Sequence, residues 1–300
     1  MFDLVIVGAG PAGIAASIYA ARKKMKFLVI AKDIGGQAAW SGDIENYIGY
    51  QFITGPELVG KFEEHMREYN IELKENEKVI ELRRRNDGIW LKTDKGDYEA
   101  KTAIIASGKR SRELGVPGEL EFKNRRLTYC ATCDAPLFAE KEVAVIGGGN
   151  SALDAVLQLI QIAKHIYLIN VTLALGGDAI MREKVVNSEK VSILNSTRVT
   201  AVLGDKMVTG IKIEREGKEE TLPVQGIFVE IGLIPNSEFA KELEKNELGE
   251  INVNCRTETS IPGIFAAGDV TDVPQKQIIV AAGEGAKAAL MAFRYLAQHK

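Results

Sequence analysis

The hydrophobic pattern of the chain alternates between short, unbroken apolar runs and longer amphipathic stretches. Residues 4–7, Leu-Val-Ile-Val, form a continuous apolar run, the pattern of a strand buried on both faces. A helix-competent run follows over 14–24, and 27–30 supplies the next buried strand, so 4–30 reads as a βαβ unit. Over 56–69 the apolar residues Leu58, Val59, Phe62 and Met66 fall on one face of a helix. Residues 71–100 break into short strands at Asn86-Asp87-Gly88 and Lys95-Gly96-Asp97, a β-meander. A buried strand at 103–106 ends in Ser107-Gly108. A second βαβ unit follows: strand 143–146, helix 151–163 and strand 166–169. Further alternating segments reach 227–231. Residues 236–249 are charged and helix-prone, 251–254 are strand-like, and the chain closes with a strand at 263–267 and a helix over 283–298.

Both βαβ units carry a glycine-rich turn between their first strand and helix. The first is Gly8-Ala9-Gly10-Pro11-Ala12-Gly13. The second is Gly147-Gly148-Gly149-Asn150-Ser151-Ala152, with alanine in place of the third glycine. In this setting the first glycine permits a tight turn and the second lets the backbone approach a pyrophosphate. The third lets helix and strand pack closely, and the helix N-terminus holds the anion. Asp33 is the only carboxylate close to the end of the second strand; it either hydrogen-bonds ribose hydroxyls or is solvated. Gly35-Gly36-Gln37 marks a turn where backbone amides can approach a ligand.

Between the two units lies Cys130-Ala131-Thr132-Cys133, followed by Asp134. Two thiols at this spacing close a small disulfide ring or form half of a zinc site. No second such pair exists, Cys255 stands alone, and the histidines are scattered at 65, 165 and 299. No metal site is therefore expected, and Cys255 reads as an ordinary residue of the strand-like stretch 251–254. Residues 109–119 have linker composition. Arg83-Arg84-Arg85 reads as a solvated strand end or a basic docking patch. Arg125 and Arg126, just before the cysteines, could meet an acidic partner or line a solvated loop.

Three hundred residues suffice for two domains. A net charge of −3 gives no footprint for nucleic acid. Three cysteines are no disulfide framework and fit a reducing, cytoplasmic setting. The uncharged stretch 4–21 holds Gly8, Gly10, Pro11 and Gly13 and follows Asp3, so it reads as strand, turn and helix, not as a membrane or signal segment.

Taken together and in order, GAGPAG at 8–13, GGQ at 35–37, ENYIG at 45–49, ASG at 106–108, CATCD at 130–134, GGGNSA at 147–152 and AAGD at 266–269 resemble the low-molecular-weight thioredoxin reductases, class II pyridine nucleotide-disulfide oxidoreductases. DAPLF at 134–138, GIFVEIGLIPN at 226–236 and KQIIVAAGEGAKAAL at 276–290 resemble still more closely the reductase portion of the alkyl hydroperoxide reductase flavoprotein. That flavoprotein has an additional N-terminal thioredoxin-like region. With the first strand here at residue 4, a separate thioredoxin- or glutaredoxin-like protein is expected to receive the electrons.

The resemblance implies an α/β fold of two Rossmann-like, three-layer dinucleotide-binding domains, the second inserted into the first. The FAD-binding domain would span 1–112 and 241–300, and the inserted nucleotide-binding domain with the dithiol 113–240. Carried onto matching positions, FAD contacts fall on Gly8, Gly10, Pro11, Ala12, Gly13, Gly36, Gln37, Asn46, Ala106, Gly108, Gly268, Asp269 and Gln277, with Asp33 added from the residue reading. The second nucleotide falls on Gly147, Gly149, Asn150, Ser151, Ala152 and Asn170. Cys133 would face the flavin, Cys130 would attack the substrate disulfide, and Asp134 would supply the acid. Ala135 stands where the family usually has glycine. The resemblance also implies a homodimer, and a rotation of the inserted domain about its two linkers that exposes the dithiol and the nicotinamide site in turn.

One departure stands out. NADPH users of this family place a cationic cluster after the strand matching 166–169, to grip the 2′-phosphate. Here Asn170, Val171 and Thr172 occupy those positions, and 173–177 carry no charge. The expected donor is NADH or NADPH, with NADH favoured. The alternatives are a ferredoxin- or second-flavin-driven disulfide reductase with a degenerate nicotinamide site and, further off, a flavin-binding redox sensor.

Overall fold

The computed structural model describes residues 1–41, 43–44, 46–85 and 88–299, apart from the side chains of Asp43, Thr132 and Cys133. The chain divides into two compact units, Met1–Arg110 with Ile234–Lys300, and Ser111–Leu233. The second is thus an insertion into the first, and the fold is mixed α/β, with a mixed sheet built on parallel strands in the first unit and a parallel sheet in the second.

In the first unit, strand Phe2–Ala9 lies between Phe27–Ile34 and Asp97–Ile105, parallel to both. Alternate side chains of the opening strand serve two cores. Leu4 and Ile6 face helices Pro11–Arg22 and Ile278–Gln298, whereas Val5 and Val7 join Leu82, Leu91 and Phe239. That is why the run has no polar position: neither face meets water. Strand Asp97–Ile105 changes partner along its length. Its first half pairs antiparallel with Gly88–Thr93, and its second half pairs parallel with Ile264–Ala266. The meander Val79–Arg85, Gly88–Thr93, Asp97–Ile105 is as the pattern predicts; Asn86 and Asp87 lie outside the described residues. Helix Gly55–Arg67 starts with a capping box between Thr54 and Glu57 and buries Leu58, Val59 and Met66. The three arginines are a solvated strand end: Arg83 pairs with Glu81, Arg84 donates to the Pro262 carbonyl, and Arg85 lies over the Trp90 ring.

The second unit is a five-stranded parallel sheet in the order Leu127–Thr128, Gly226–Val229, Glu142–Ile146, His165–Ile169, Val191–Leu194. Helix Asn150–Ile160 covers one face through Leu153, Val156 and Leu159. The antiparallel strands Thr197–Gly204, Val208–Arg215 and Lys218–Leu222 cover the other through Val202, Ile211 and Ile213. This gives three layers.

Three expectations need correction. The chain returns to the first unit at Ile234, not after residue 240. Phe239, Ala240 and Leu243 are buried in that unit's core, and Leu82 N–H donates to the Phe239 carbonyl. The same contacts bear on why 236–249 is not helical: the Phe239 carbonyl, which a helix would offer to Leu243, is taken by Leu82, and tertiary contact overrides helix propensity. Finally, Cys255 sits in a turn in which Thr257 N–H donates to the Asn254 carbonyl, not in a strand, and is free and exposed. Among the described residues no helix is long and apolar enough to cross a membrane.

Helices Pro11–Arg22 and Ile278–Gln298 meet through Ala and Gly, and a Cβ at Gly285 would lie 1.9 Å from the Ala12 carbonyl oxygen. Gly285→Ala forces the helices apart and is expected to cost about 2 kcal/mol or more. Urea unfolding measures this; a change below about 0.5 kcal/mol would contradict such close packing.

Candidate functional site

The first glycine turn is built by backbone proximity. Gly8 has φ +106°, and a Cβ there would lie 2.3 Å from the Ala106 carbonyl oxygen. A Cβ at Gly13 would lie 1.9 Å from the Gly8 carbonyl oxygen. Gly10, by contrast, faces open space, its nearest atom for an added Cβ being the Gly35 carbonyl oxygen at 3.9 Å. Helix Pro11–Arg22 starts there with no side-chain cap and with Pro11 in its first turn. Its first amides are left for an anion. Gly36, φ +53°, comes close to Gly10: an added Cβ would be 3.5 Å from the Gly10 Cα.

Residues far apart in sequence join this cradle. Asn46 Nδ2 donates to Gln277 Oε1 at 3.0 Å, and Gln37 Nε2 donates to the Lys109 carbonyl at 3.1 Å. Gly108 and Gly268 both have positive φ. Asp269 is largely buried and makes no side-chain hydrogen bond among the described residues. Burial pushes its carboxyl up, against the pull of Lys276 and Lys109. An open glycine edge, uncapped helix amides and a carboxylate with no donor among the described residues fit a dinucleotide from whose hydroxyls Asp269 would accept. Asp33 is exposed at the end of its strand. Ala12 and Ala106 are buried as part of the packing behind the turn.

The cradle includes charges with no readable spacing in the sequence. Lys109 Nζ lies 2.5 Å from Glu250 Oε1, and Lys276 Nζ lies 3.1 Å from the same oxygen. Burial pushes the Glu250 carboxyl up, but hydrogen bonds from Lys109, Asn246 and Lys276 outweigh it and hold the group at about 2. Glu284, on the closing helix, accepts from Gly268 N–H at 2.9 Å and so fixes the residue before Asp269.

In the second unit, strand Leu127–Thr128 leads directly into the cysteine turn. Cys130 N–H donates to Thr128 Oγ1 at 3.1 Å, and Asp134 N–H donates to the Cys130 carbonyl at 3.3 Å. Cys130 is half-buried and disulfide-bonded. Ala131 is buried, and its N–H donates to Glu230 Oε1 at 3.2 Å. Asp134 is half-buried. The side chain of Cys133 lies outside the described residues. Behind the turn, Phe138 packs edge-on against Phe228 with ring centroids 4.8 Å apart. Buried Glu119 receives the N–H groups of Leu114 and Gly115 and the Tyr129 hydroxyl. Burial, with Glu119 beside it, pushes the Tyr129 phenol up.

The second glycine turn repeats the first in outline. Gly147 has φ +144°, and a Cβ there would lie 2.2 Å from the Glu230 carbonyl oxygen, whereas Gly149 faces open space and begins an uncapped helix. Ala152 is buried against the turn, and Ser151 is exposed on its first helical residues. Asn170 does not reach outward for a ribose. It is 3% exposed, and its Nδ2 donates to the Thr172 and Ala174 carbonyls and to Asn195 Oδ1. Its Oδ1 accepts from Thr172 N–H and Oγ1. Asn150 Oδ1 is likewise taken by Asp178 N–H at 2.7 Å, and Gly176 N–H donates to the Gly148 carbonyl. Asn170 and Asn150 therefore shape the loop after the strand, which lies against the glycine turn and exposes Val171 and Leu173. Among the described residues no group of His, Cys, Asp and Glu is placed to hold a metal ion.

With both turns and the disulfide in place, comparison with known proteins identifies the class. A family model described as pyridine nucleotide-disulphide oxidoreductase matches residues 2–285, and the chain belongs to that family. An alkyl hydroperoxide reductase component of Pseudomonas aeruginosa is 44% identical over 303 residues, covering 98% of this chain and 58% of that protein. An NADH dehydrogenase of Bacillus subtilis is 41% identical over 299 residues, again covering 98% and 58%. The chain thus spans little more than half the length of these relatives. The crystal structure of a thioredoxin reductase from Streptococcus pyogenes superposes with a TM-score of 0.80 at 36% identity, covering 99% of each chain. The protein is an oxidoreductase with the thioredoxin reductase fold, and its family membership implies a flavin and a nicotinamide cofactor.

The Glu250 cluster predicts an acid-labile first unit. A folded-state value held at about 2, below the ordinary carboxylate value of about 4.5, contributes stability that is complete above about 4.5 and lost as pH falls towards 2. Glu250→Gln should be less stable at neutral pH, with a shallower decline between pH of about 5 and 2.5, read by urea midpoints. Parallel curves for the two proteins would contradict this.

Proposed function

We propose that the chain is an FAD-dependent disulfide reductase of the thioredoxin reductase type. It passes two electrons from a nicotinamide nucleotide, NADH in preference to NADPH, through Cys130 and Cys133 to a thioredoxin- or glutaredoxin-like protein. The observation that carries this reading is the disulfide at Cys130, in the same unit as an intact dinucleotide turn. Both lie at the carboxyl ends of parallel strands, where ligands of open α/β sheets bind.

When bound, the flavin supplies a two-electron relay between nicotinamide and disulfide. The chain's own residues bind and orient. The glycine edge at Gly8, Gly10 and Gly13 and the amides after Pro11 would take the FAD pyrophosphate. Gly36, Gln37, Asn46, Ala106, Gly108, Gly268 and Gln277 would line the rest, and Asp269 would accept from hydroxyls. Gly147, Gly149 and the exposed Ser151 would take the second nucleotide's pyrophosphate. Half-buried Cys130 would exchange with the external disulfide through a mixed disulfide, Cys133 would face the flavin, and Asp134 would hold the proton for the departing sulfur.

The donor preference is supported by the uncharged loop 170–177 and by the Bacillus subtilis relative, an NADH dehydrogenase. One observation favours a second reading. Because Asn170 spends its side chain inside the protein, no polar side chain at the strand end is free to choose a ribose. A ferredoxin- or second-flavin-driven reductase with a degenerate nicotinamide site would look the same there.

Anaerobic mixing of the FAD-loaded protein with NADH, NADPH and reduced ferredoxin, followed by flavin absorbance, separates the readings. Bleaching is expected to be at least about tenfold faster with NADH than with NADPH, the scale of one lost phosphate contact. Bleaching by ferredoxin alone would replace the first reading with the second. Cys130→Ser should leave flavin bleaching by NADH within about twofold but abolish thioredoxin-linked turnover, a loss of at least about a thousandfold. Retained turnover would remove Cys130 from the reaction.

A further inference from the structure

Glu230 has no place in the chemistry described so far, yet it touches both functional turns of the second unit. It follows directly on strand Gly226–Val229, which lies between Leu127–Thr128 and the central strand Glu142–Ile146. Its N–H donates to the Ile146 carbonyl at 2.8 Å, one residue before the second glycine turn, and its own carbonyl packs against Gly147. Its carboxylate reaches to the other side, where Oε1 accepts the Ala131 N–H at 3.2 Å. That bond joins residues 99 positions apart and ties the cysteine turn to the end of strand Gly226–Val229.

The charge of this carboxylate bears on the neighbouring thiol. The Ala131 nitrogen is bonded to the Cys130 carbonyl carbon, so covalent geometry places the carboxylate oxygen within about 8 Å of the Cys130 sulfur. That is no more than the distance over which physiological salt screens exposed charges, and burial weakens the screening. Asp154, on helix Asn150–Ile160, adds the same sign of charge. Asp134 closes the cysteine turn, and among the described residues no lysine or arginine acts on Glu230. A mostly buried carboxyl with one amide donor and no cation among the described residues can exist in either protonation state near neutrality. In keeping with this, burial pushes it up to about 7, Asp154 adding to the effect and the Ala131 amide opposing it.

We propose that Glu230 is a positioning residue for the cysteine turn: it holds the Ala131 amide, and its charge restrains ionisation of the reduced Cys130 thiol. The proposal rests on the reading of Cys130 as a redox thiol. The step concerned moves no electrons: the Cys130 S–H loses its proton to solvent and becomes a thiolate. With Glu230 protonated, the thiol ionises as its other neighbours allow. With Glu230 ionised, a second negative charge nearby disfavours the thiolate, so the two groups titrate as a coupled pair. Thiolate, and with it the rate of disulfide exchange, then rises less steeply with pH than for an isolated thiol.

The test is the pH profile of Cys130 alkylation by iodoacetamide, in full-length protein reduced with dithiothreitol. Fragment-ion mass spectrometry resolves Cys130 from Cys133 and Cys255. Glu230→Gln keeps an oxygen for the Ala131 amide and removes only the charge. It is expected to move the Cys130 midpoint to lower pH and to raise the alkylation rate at pH 7.5 at least about threefold. Superimposable profiles overturn the proposal, since a purely structural hydrogen bond would survive in the glutamine variant. Should that variant not fold, Glu230→Asp, which withdraws the charge by one methylene, should shift the midpoint in the same direction by less; an unchanged midpoint there overturns it equally. Chemical reduction makes the result independent of the electron donor, so failure of NADH to reduce the protein bears on the functional reading alone.

Discussion

Everything in this molecule depends on main chains approaching one another where no side chain intervenes. At Gly13 and Gly285 an added Cβ would sit 1.9 Å from a carbonyl oxygen of a neighbouring segment, and at Gly8 and Gly147 within 2.3 Å of one. These contacts draw the helix N-termini onto the carboxyl ends of the parallel strands. The open glycines, Gly10 and Gly149, lie on the other edge of the same turns, where a ligand rather than protein would complete the packing. One steric rule thus produces both the fold and the cradle: glycine where protein meets protein, and glycine again where a nucleotide would approach.

The parts of the structure governed by local rules were legible in the sequence. The two βαβ units, the meander and the cysteine turn each follow from a short pattern whose physical cause is contained in the pattern itself. Parts that rest on contacts across the chain were not. Nothing in the spacing of Lys109, Glu250 and Lys276 announces a buried ion cluster, and nothing connects Glu230 with Ala131. Residues 236–249 have helical composition, but contacts across the chain claim them: the Phe239 carbonyl, which a helix would offer to Leu243, accepts from Leu82 N–H instead. Asn170 shows the limit most clearly. Its place at the strand end suggests a ribose ligand, while its five hydrogen bonds, four to the loop and one to Asn195, show a strut.

That strut changes how nucleotide choice is understood. A cationic cluster would select NADPH by charge and an acidic residue would select NADH by hydrogen bonding; this loop offers neither. It is instead held in one shape by Asn170, Asn150 and the Gly176–Gly148 bond, and its exposed side chains include Val171 and Leu173. Discrimination here would come from the shape of the loop and from a cation that touches it, Arg182, whose Nη1 donates to the Leu175 carbonyl. The cysteine turn is treated differently. Glu230 holds its backbone and Asp134 lies at its end, so under the proposal for Glu230 proton occupancy rather than cationic stabilisation would govern its sulfur.

The central claim is that reducing equivalents from a pyridine nucleotide arrive at Cys130. The direct measurement is a thiol count on the FAD-loaded protein after anaerobic addition of one equivalent of NADH, by differential alkylation and mass spectrometry. The account predicts that Cys130 and Cys133 become labelled together, while Cys255 is labelled before and after alike. Full flavin reduction with Cys130 still in its disulfide would contradict it.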